Sequence, residues 1–422
     1  MLIFILFTLL LLLGAPVLVA LLVPGIAAFV LYPDLPLQLI GPRVGNSFLT
    51  SSNLAIPLFI FAAQILTDIE ITDAIFGFVN KIVGHVRGGL AHVNVLASVI
   101  FAGMSGSMNA DAAGLGKVEI KAMTGQGYPK AFSAAVTAAS STIGPIIPPS
   151  IPAILYGSLA EVSIGKLLIG GFFPGLIMAI VQMTQIALMA RHRGFPKSKF
   201  AGFRQIYQDF WKTLPGLMAP IILIGGMLSG LFTPTEAAGI AVVYAIGVGF
   251  CLRRLNFKKL WHSLQQAALD SAAMLVMFIG GTVMALIATR LHVADAAIKF
   301  ISEFTTSPTV VLLLINIFLI IIGCFMGPTS AILMLTPVLV SLGNAFGINQ
   351  IHLGIVVILN LMIGNLTPPM GGTLFITCKV AEIKLVDMLK ELWPFLVGLI
   401  IALFIVTYVP QTVTWLPNLL IK

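Results

Sequence analysis

Long apolar stretches, separated by short polar or basic ones, fill this 422-residue chain. They fall at about 2–32, 49–67, 90–116, 131–158, 171–190, 213–231, 234–252, 269–289, 310–336, 351–378 and 391–409. Many reach the ~18 residues that a helix needs to cross a ~30 Å hydrocarbon core. They are too many and too long for the core of a water-soluble domain. The pattern therefore predicts an all-α integral membrane protein.

Two of these stretches carry the same internal break. Residues 140–154 read SSTIGPIIPPSIPAI, and residues 360–374 read NLMIGNLTPPMGGTL. Ile143, Gly144, Pro148 and Pro149 thus align with Ile363, Gly364, Pro368 and Pro369 across a shift of 220 residues. A Pro pair removes two backbone donors and clashes with the preceding turn, so a helix cannot run through it unbroken. Inside a bilayer, a break is tolerated only where protein or a watery cavity satisfies the freed groups. One Pro pair could merely kink a helix. Two in matching positions of two halves point to a transporter's binding site.

The same shift maps residues 14–190 onto 234–410 and pairs Gly103 with Gly323 and Pro174 with Pro394. These spans read as two repeats, with 131–158 and 351–378 as discontinuous helices. Residues 191–233, a loop followed by the apolar stretch 213–231, have no full counterpart and read as the connector. If each repeat crosses the membrane an even number of times, one connector crossing inverts the second. Stretches 90–116 and 310–336 are each a single span or a re-entrant hairpin, and basic residues discriminate. As hairpins, they place 18 of the 23 Lys and Arg on one side, in loops 81–87, 117–130, 191–212, 253–259 and 379–390. Five remain opposite: Arg43, Lys166, Arg290, Lys299 and Lys422. As single spans, the split is 15 to 8. The positive-inside rule favours hairpins with the rich side cytoplasmic, which places Trp415 at the outer interface. Each hairpin leg of about 13 residues would reach ~20 Å, enough for the midplane. The tips would be FAGMSGSMNADAAG (101–114) and GCFMGPTSAILM (323–334).

Composition narrows the function. Apolar residues are 59% and charged ones 9%, with a mean hydropathy of +1.07. The net charge of +8 does not indicate nucleic-acid binding, because the basic residues sit in short clusters between apolar runs. Cys251, Cys324 and Cys378 are far apart and form no CxxC pair. The six histidines show no HExxH spacing, and there is neither a GxxxxGK[ST] loop nor a GxSxG elbow. Catalysis thus has no support in the motifs. The N-terminal stretch lacks a basic n-region and a cleavage site, and it predicts a retained first membrane helix kinked near Gly14–Pro16.

At each break the first half-helix ends in free carbonyls and the next begins with free N–H groups. Carbonyls can replace the hydration shell of Na⁺, and the positive end of a half-helix attracts an anion. A hairpin tip beside each break would complete a cage. Ser105 and Ser107 pair with Gly144, Ile147 and Pro149 in one half. Gly327 and Thr329 pair with Gly364, Thr367 and Met370 in the other. Asn109, Ser141, Thr142 and Ser330 are candidates to hydrogen-bond a polar substrate, or to satisfy neighbouring helices. Arg290 either attracts an organic anion or anchors its helix at the interface. Asp111 and Asp270, as intramembrane acids, are functional candidates by default. Glu236, in T-P-T-E, reads as a helix-start cap for Thr233.

GMSGSMNADAAGLG (103–116), IIPPSIPAILYG (146–157), LFTPTEAA (231–238) and NLTPPMG (365–371) occur in that order. They resemble the large membrane subunit of tripartite ATP-independent periplasmic (TRAP) transporters, and the resemblance covers essentially the whole chain. It implies a secondary transporter of the bacterial inner membrane, taking up an organic anion of the sialic acid or C4-dicarboxylate class on a Na⁺ gradient. It implies an elevator-type fold, with hairpins and broken helices moving against a scaffold. It implies two partners, a periplasmic substrate-binding protein and a small four-helix membrane subunit. It also implies sodium sites made of backbone carbonyls around the tips and breaks. CFMGPTS in the second tip departs from the SGS of the first, so equivalent sites are not implied. A stand-alone Na⁺-coupled anion symporter of similar architecture is the alternative, and a channel or scaffold a third class.

Overall fold

The computed structural model describes residues 2–32, 51–197, 201–228 and 231–421, with residues 38, 41, 42 and 45. Arg43, Lys199 and Lys422, used in the charge count, lie outside the described residues. The chain is an all-helical, multi-pass membrane protein. Among the described residues, seven helices are long and apolar enough to cross a bilayer, or eight if one bent pair counts as a span.

The chain opens with α1 (Leu2–Leu12) and α2 (Val17–Leu31). One kinked helix was expected here. Instead Gly14 takes a left-handed φ of +79° and Pro16 follows, so the chain turns and α1 packs against α2. A glycine adopts that conformation without penalty, and Pro ends the turn by fixing its own φ. The bent pair is α3 (Ser51–Asp68) and α4 (Ile71–Val83), which meet at 68°. The Arg254 guanidinium donates to the carbonyls of Ile69 and Glu70 at 3.1 and 3.3 Å, which satisfies the backbone at that corner.

Next come α5 (Gly89–Ser105), α6 (Met108–Ala113), α7 (Leu115–Gly125), α8 (Lys130–Ser140), α9 (Ile151–Leu159), α10 (Ile164–Gly170) and α11 (Phe172–Arg193). The middle of the chain holds α12 (Phe203–Leu228), α13 (Pro234–Cys251), α14 (Phe257–Arg290) and α15 (Val293–Phe304). The last part holds α16 (Pro308–Phe325), α17 (Pro328–Ala345), α18 (Gln350–Gly364), α19 (Gly372–Ala381), α20 (Leu385–Tyr408) and α21 (Gln411–Leu420). Shifting the numbering by 220 lays α8 on α18, α9 on α19 and α5 on α16 to within two residues at most bounds. Glu236 caps as expected: its carboxylate accepts from the Thr233 N–H at 2.7 Å, and its own N–H donates to the Thr233 hydroxyl at 3.3 Å. Asp270 lies exposed midway along α14.

Both breaks form where the Pro pairs stand. α8 ends at Ser140, passes through one 3₁₀ turn (Ser141–Ile143), and helix resumes only at Ile151. α18 ends at Gly364 and α19 begins at Gly372. The helices flanking the second tip are longer than the legs predicted for it. α16 and α17 have 18 residues each, about 27 Å rather than ~20 Å, because polar end residues such as Ser341 and Asn344 remain helical.

Buried polar side chains fasten α5 to α8 and α16 to α18. In the first pair, Asn94 donates to Thr137 and accepts from Ser140, both at 2.7 Å. In the second, Asn360 donates to Asn316 at 2.8 Å. Ser140 and Asn360 correspond under the 220-residue shift. Interhelical hydrogen bonds of this kind hold membrane helices where no hydrophobic driving force separates protein from lipid.

Candidate site between the two tips and the two breaks

The α5–α6 tip is built by two residues. Gly106 has φ +60° and lies against the Pro149 carbonyl so closely that a Cβ would come within 2.4 Å of that oxygen. Ser107, in extended backbone, caps α6 by accepting from the Ala110 N–H at 3.4 Å. The Ser107 carbonyl also lies beside Gly144, 3.6 Å from where a Cβ would stand. Thus Ser105, Ser107, Gly144 and Pro149 meet at one junction. The Ser105 hydroxyl is 2% exposed and has no hydrogen-bond partner. An orphaned, buried hydroxyl at such a tip fits a cation better than it fits an empty apolar core. Ile147 faces the other way, its side chain packed against Gly175 of α11, so only its backbone is left to serve the junction.

The α16–α17 junction is built differently. The Met370 N–H donates to the Cys324 carbonyl at 3.2 Å, which ties the second break to the end of α16. Gly323 and Gly364 touch through bare backbone; a Cβ on Gly364 would stand 2.6 Å from the Gly323 Cα. Thr367 closes a turn, its N–H donating to the Gly364 carbonyl at 2.9 Å and its hydroxyl to Ile363 at 2.8 Å. Gly327 has open space around it, and Thr329 starts α17 just beyond.

A cleft joins the two junctions. Its wall includes Ser107 and Asn109 of the first tip, Pro145 of the first break, Pro328 and Thr329 of the second tip, and Asn365 of the second break. Met108 and Pro328, Asn109 and Thr329, and Pro145 and Asn365 are partners under the 220-residue shift. The starts of α9 and α17 both open onto this cleft through Ile151, Pro152, Pro328 and Thr329. Pro152 and Pro328 carry no N–H and Ser150 caps the Ala153 N–H, so the positive character of that wall comes from the helix dipoles; no Lys or Arg lines it.

Not every expected substrate residue reaches the cleft. The Ser141 and Thr142 hydroxyls donate to their own helix at Ala138 and Ala139, at 2.8 and 2.5 Å. Ser330 is buried inside α17, and Arg290 ends α14 on the exposed surface; neither lines the cleft. Two residues of the cleft's polar chain had not been singled out. Asn365 donates to Thr373 at 3.0 Å, and Thr373 donates to Asn109 at 2.9 Å, so the second break is linked to the first tip. Asn365 also accepts from the Gly372 N–H at 2.9 Å, which caps α19. Its signal in the sequence was its place directly after Ile363–Gly364, opposite Pro145 in the other repeat.

Broken helices that meet at a shared cleft inside a multi-pass membrane protein are the arrangement of a transport protein. Residues 4–412 match the family described as tripartite ATP-independent periplasmic transporter, DctM component, and the chain belongs to that family. It is similar to the sialic acid TRAP transporter large permease protein SiaM of Vibrio cholerae, at 38% identity over 87% of this chain and 86% of that one. It is 36% identical to the C4-dicarboxylate TRAP transporter large permease protein DctM of Pseudomonas aeruginosa, over 86% of each. It is also 38% identical to the sialic acid TRAP transporter permease protein SiaT of Haemophilus influenzae, over 87% of this chain but 60% of that longer protein. Among solved structures, the YdaH transporter of Alcanivorax borkumensis has a similar fold, with a TM-score of 0.64 at 16% identity over 90% of this chain and 89% of that one.

Proposed function

We propose that this chain is the large permease subunit that carries an organic anion across the bacterial inner membrane, driven by Na⁺. The observation that carries the proposal is the shared cleft, where both tip–break junctions and two helix starts converge. Carbonyls and hydroxyls at the junctions suit Na⁺, and the helix starts suit a carboxylate. Na⁺ entering first would draw each tip onto its break and bring the α9 and α17 starts into register for the anion. The relatives named for sialic acid and for C4-dicarboxylates support that substrate class.

On this reading, the two repeats are inverted with respect to each other, their tips are re-entrant hairpins, and the tips and breaks move together against the outer helices as an elevator. A periplasmic binding protein delivers the substrate, and a small membrane subunit completes the permease. The additional length of SiaT is compatible with relatives that fuse membrane subunits.

Reconstitution with both partners in proteoliposomes tests the coupling. Uptake of a sialic acid or a C4-dicarboxylate should accelerate on an inward Na⁺ gradient and collapse when the gradient is dissipated. Uptake indifferent to the gradient would refute sodium coupling. Uptake by this chain alone would refute the tripartite arrangement.

A further inference from the structure

We infer that the first repeat holds a third cation site, formed by the carboxylates of Asp111 and Glu119 and the hydroxyls of Ser98 and Thr137. Its ligand is a hard, oxygen-coordinated metal cation. The site is separate from the carbonyl junctions and does not depend on the sodium-coupling proposal.

Both acids are 1% exposed. Both Asp111 carboxylate oxygens, and Oε1 of Glu119, are buried without a hydrogen-bond partner. Asp111 on α6 faces the Ser98 hydroxyl of α5. Glu119 on α7 lies beside Thr137 of α8, close enough to Asp111 for the two carboxyls to repel if both are charged. Among the described residues, no ion pair includes either acid. Two like charges sealed from water without a countercharge are strongly unfavourable, so the two acids either hold protons or share a positive partner, and their unpartnered oxygens leave room for the latter.

The second repeat shows that the fold itself does not require carboxyls at these positions. Under the 220-residue shift, Asp111 corresponds to Ala331 and Glu119 to Leu339, both buried and apolar. The equivalent positions therefore pack as hydrocarbon on the continuous α17 of one half and as two acids on α6 and α7 of the other. The first repeat also brings oxygen donors around the acids. Ser98 donates to Ser140 at 3.1 Å, and Ser140 to Asn94 at 2.7 Å, so the wall behind the carboxylates is already ordered. Oxygen-only donors select alkali and alkaline-earth cations over transition metals. The Asp111 N–H donates to the Ser107 carbonyl at 3.0 Å, so occupancy would bear directly on the first tip.

Cation-induced infrared difference spectroscopy on the purified full chain tests this site, because the junctions contain no carboxylate. Chelator-treated protein is exchanged from choline chloride into NaCl, or into CaCl₂ or MgCl₂, at equal ionic strength. A shift of the carboxylate stretching bands is expected with one of these salts, and the salt that produces it identifies the ion. Glu119→Gln should reduce that shift to the Asp111 contribution and raise the half-saturating concentration of what remains by more than the ~10-fold typical of losing an outer partner. A wild-type spectrum with no cation-induced carboxylate shift, and a protonated-carboxyl band that persists in every salt, would overturn the site. So would a Glu119→Gln spectrum identical to wild type. If the variant does not fold, the wild-type spectra alone decide.

Discussion

Gly106→Ala is expected to lower substrate uptake at least ~10-fold while the protein still inserts and purifies as a folded chain. An L-residue held in the left-handed region costs about 1–2 kcal/mol. Here the added Cβ would also stand 2.4 Å from the Pro149 carbonyl oxygen, and backbone cannot swing aside as a side-chain end can. The tip must withdraw from the break, taking Ser105 and Ser107 away from the Pro149 and Gly144 backbone. Uptake by the reconstituted complex, read beside the size-exclusion profile of the variant, measures this. Wild-type uptake with unchanged sodium dependence would show that the tip–break contact is not part of the transport site.

Gly364→Ala is expected to act through stability as well as transport. Its Cβ would meet the Gly323 Cα at 2.6 Å and the Ile320 carbonyl at 2.9 Å, all of it backbone. Close helix contact through small residues is a main source of association in the bilayer. Overpacking such a contact typically costs about 1–3 kcal/mol. The variant should unfold at a lower temperature than wild type and lose uptake. Gly239→Ala on α13 is the matched control, since nothing lies within 4 Å of its added Cβ. It should leave the unfolding temperature unchanged or slightly higher, because alanine is the better helix former. Equal unfolding temperatures for Gly364→Ala and wild type would contradict the close crossing of α16 and α18.

The breaks were the most legible part of the site, because a Pro pair has a local mechanical consequence that no tertiary context reverses. Ile143–Gly144 and Ile363–Gly364 each end a helical stretch, as their sequence indicated. The membrane class was legible for a similar reason, since apolar run length is set by the bilayer. The true lengths of α16 and α17 were not, because a helix continues through polar residues once a partner helix supports it. The reversal at Gly14 was also missed, since a kink and a turn share the same Gly and Pro.

The polar candidates divide according to what competes for them. Ser141 and Thr142 have carbonyls of their own helix within reach, and they use them. Asn109 starts a short helix at the tip and is free to meet Thr373 from the other half. That pairing spans 264 residues, and no local pattern encodes a contact of that range. Asp111 was recognisable as a buried acid, whereas Glu119 was not, because KVEIK reads as an exposed basic loop until α7 folds onto α8.

The thermal unfolding midpoint of the purified chain, titrated with NaCl against choline chloride at constant ionic strength, tests most directly whether the tip–break junctions bind sodium. Binding to the folded state alone raises stability as RT ln(1 + [L]/Kd), so the midpoint should climb with Na⁺ and stay flat in choline. The climb should be shallower in Gly106→Ala, where the first junction is pushed open. Superimposable curves in the two salts would contradict the account.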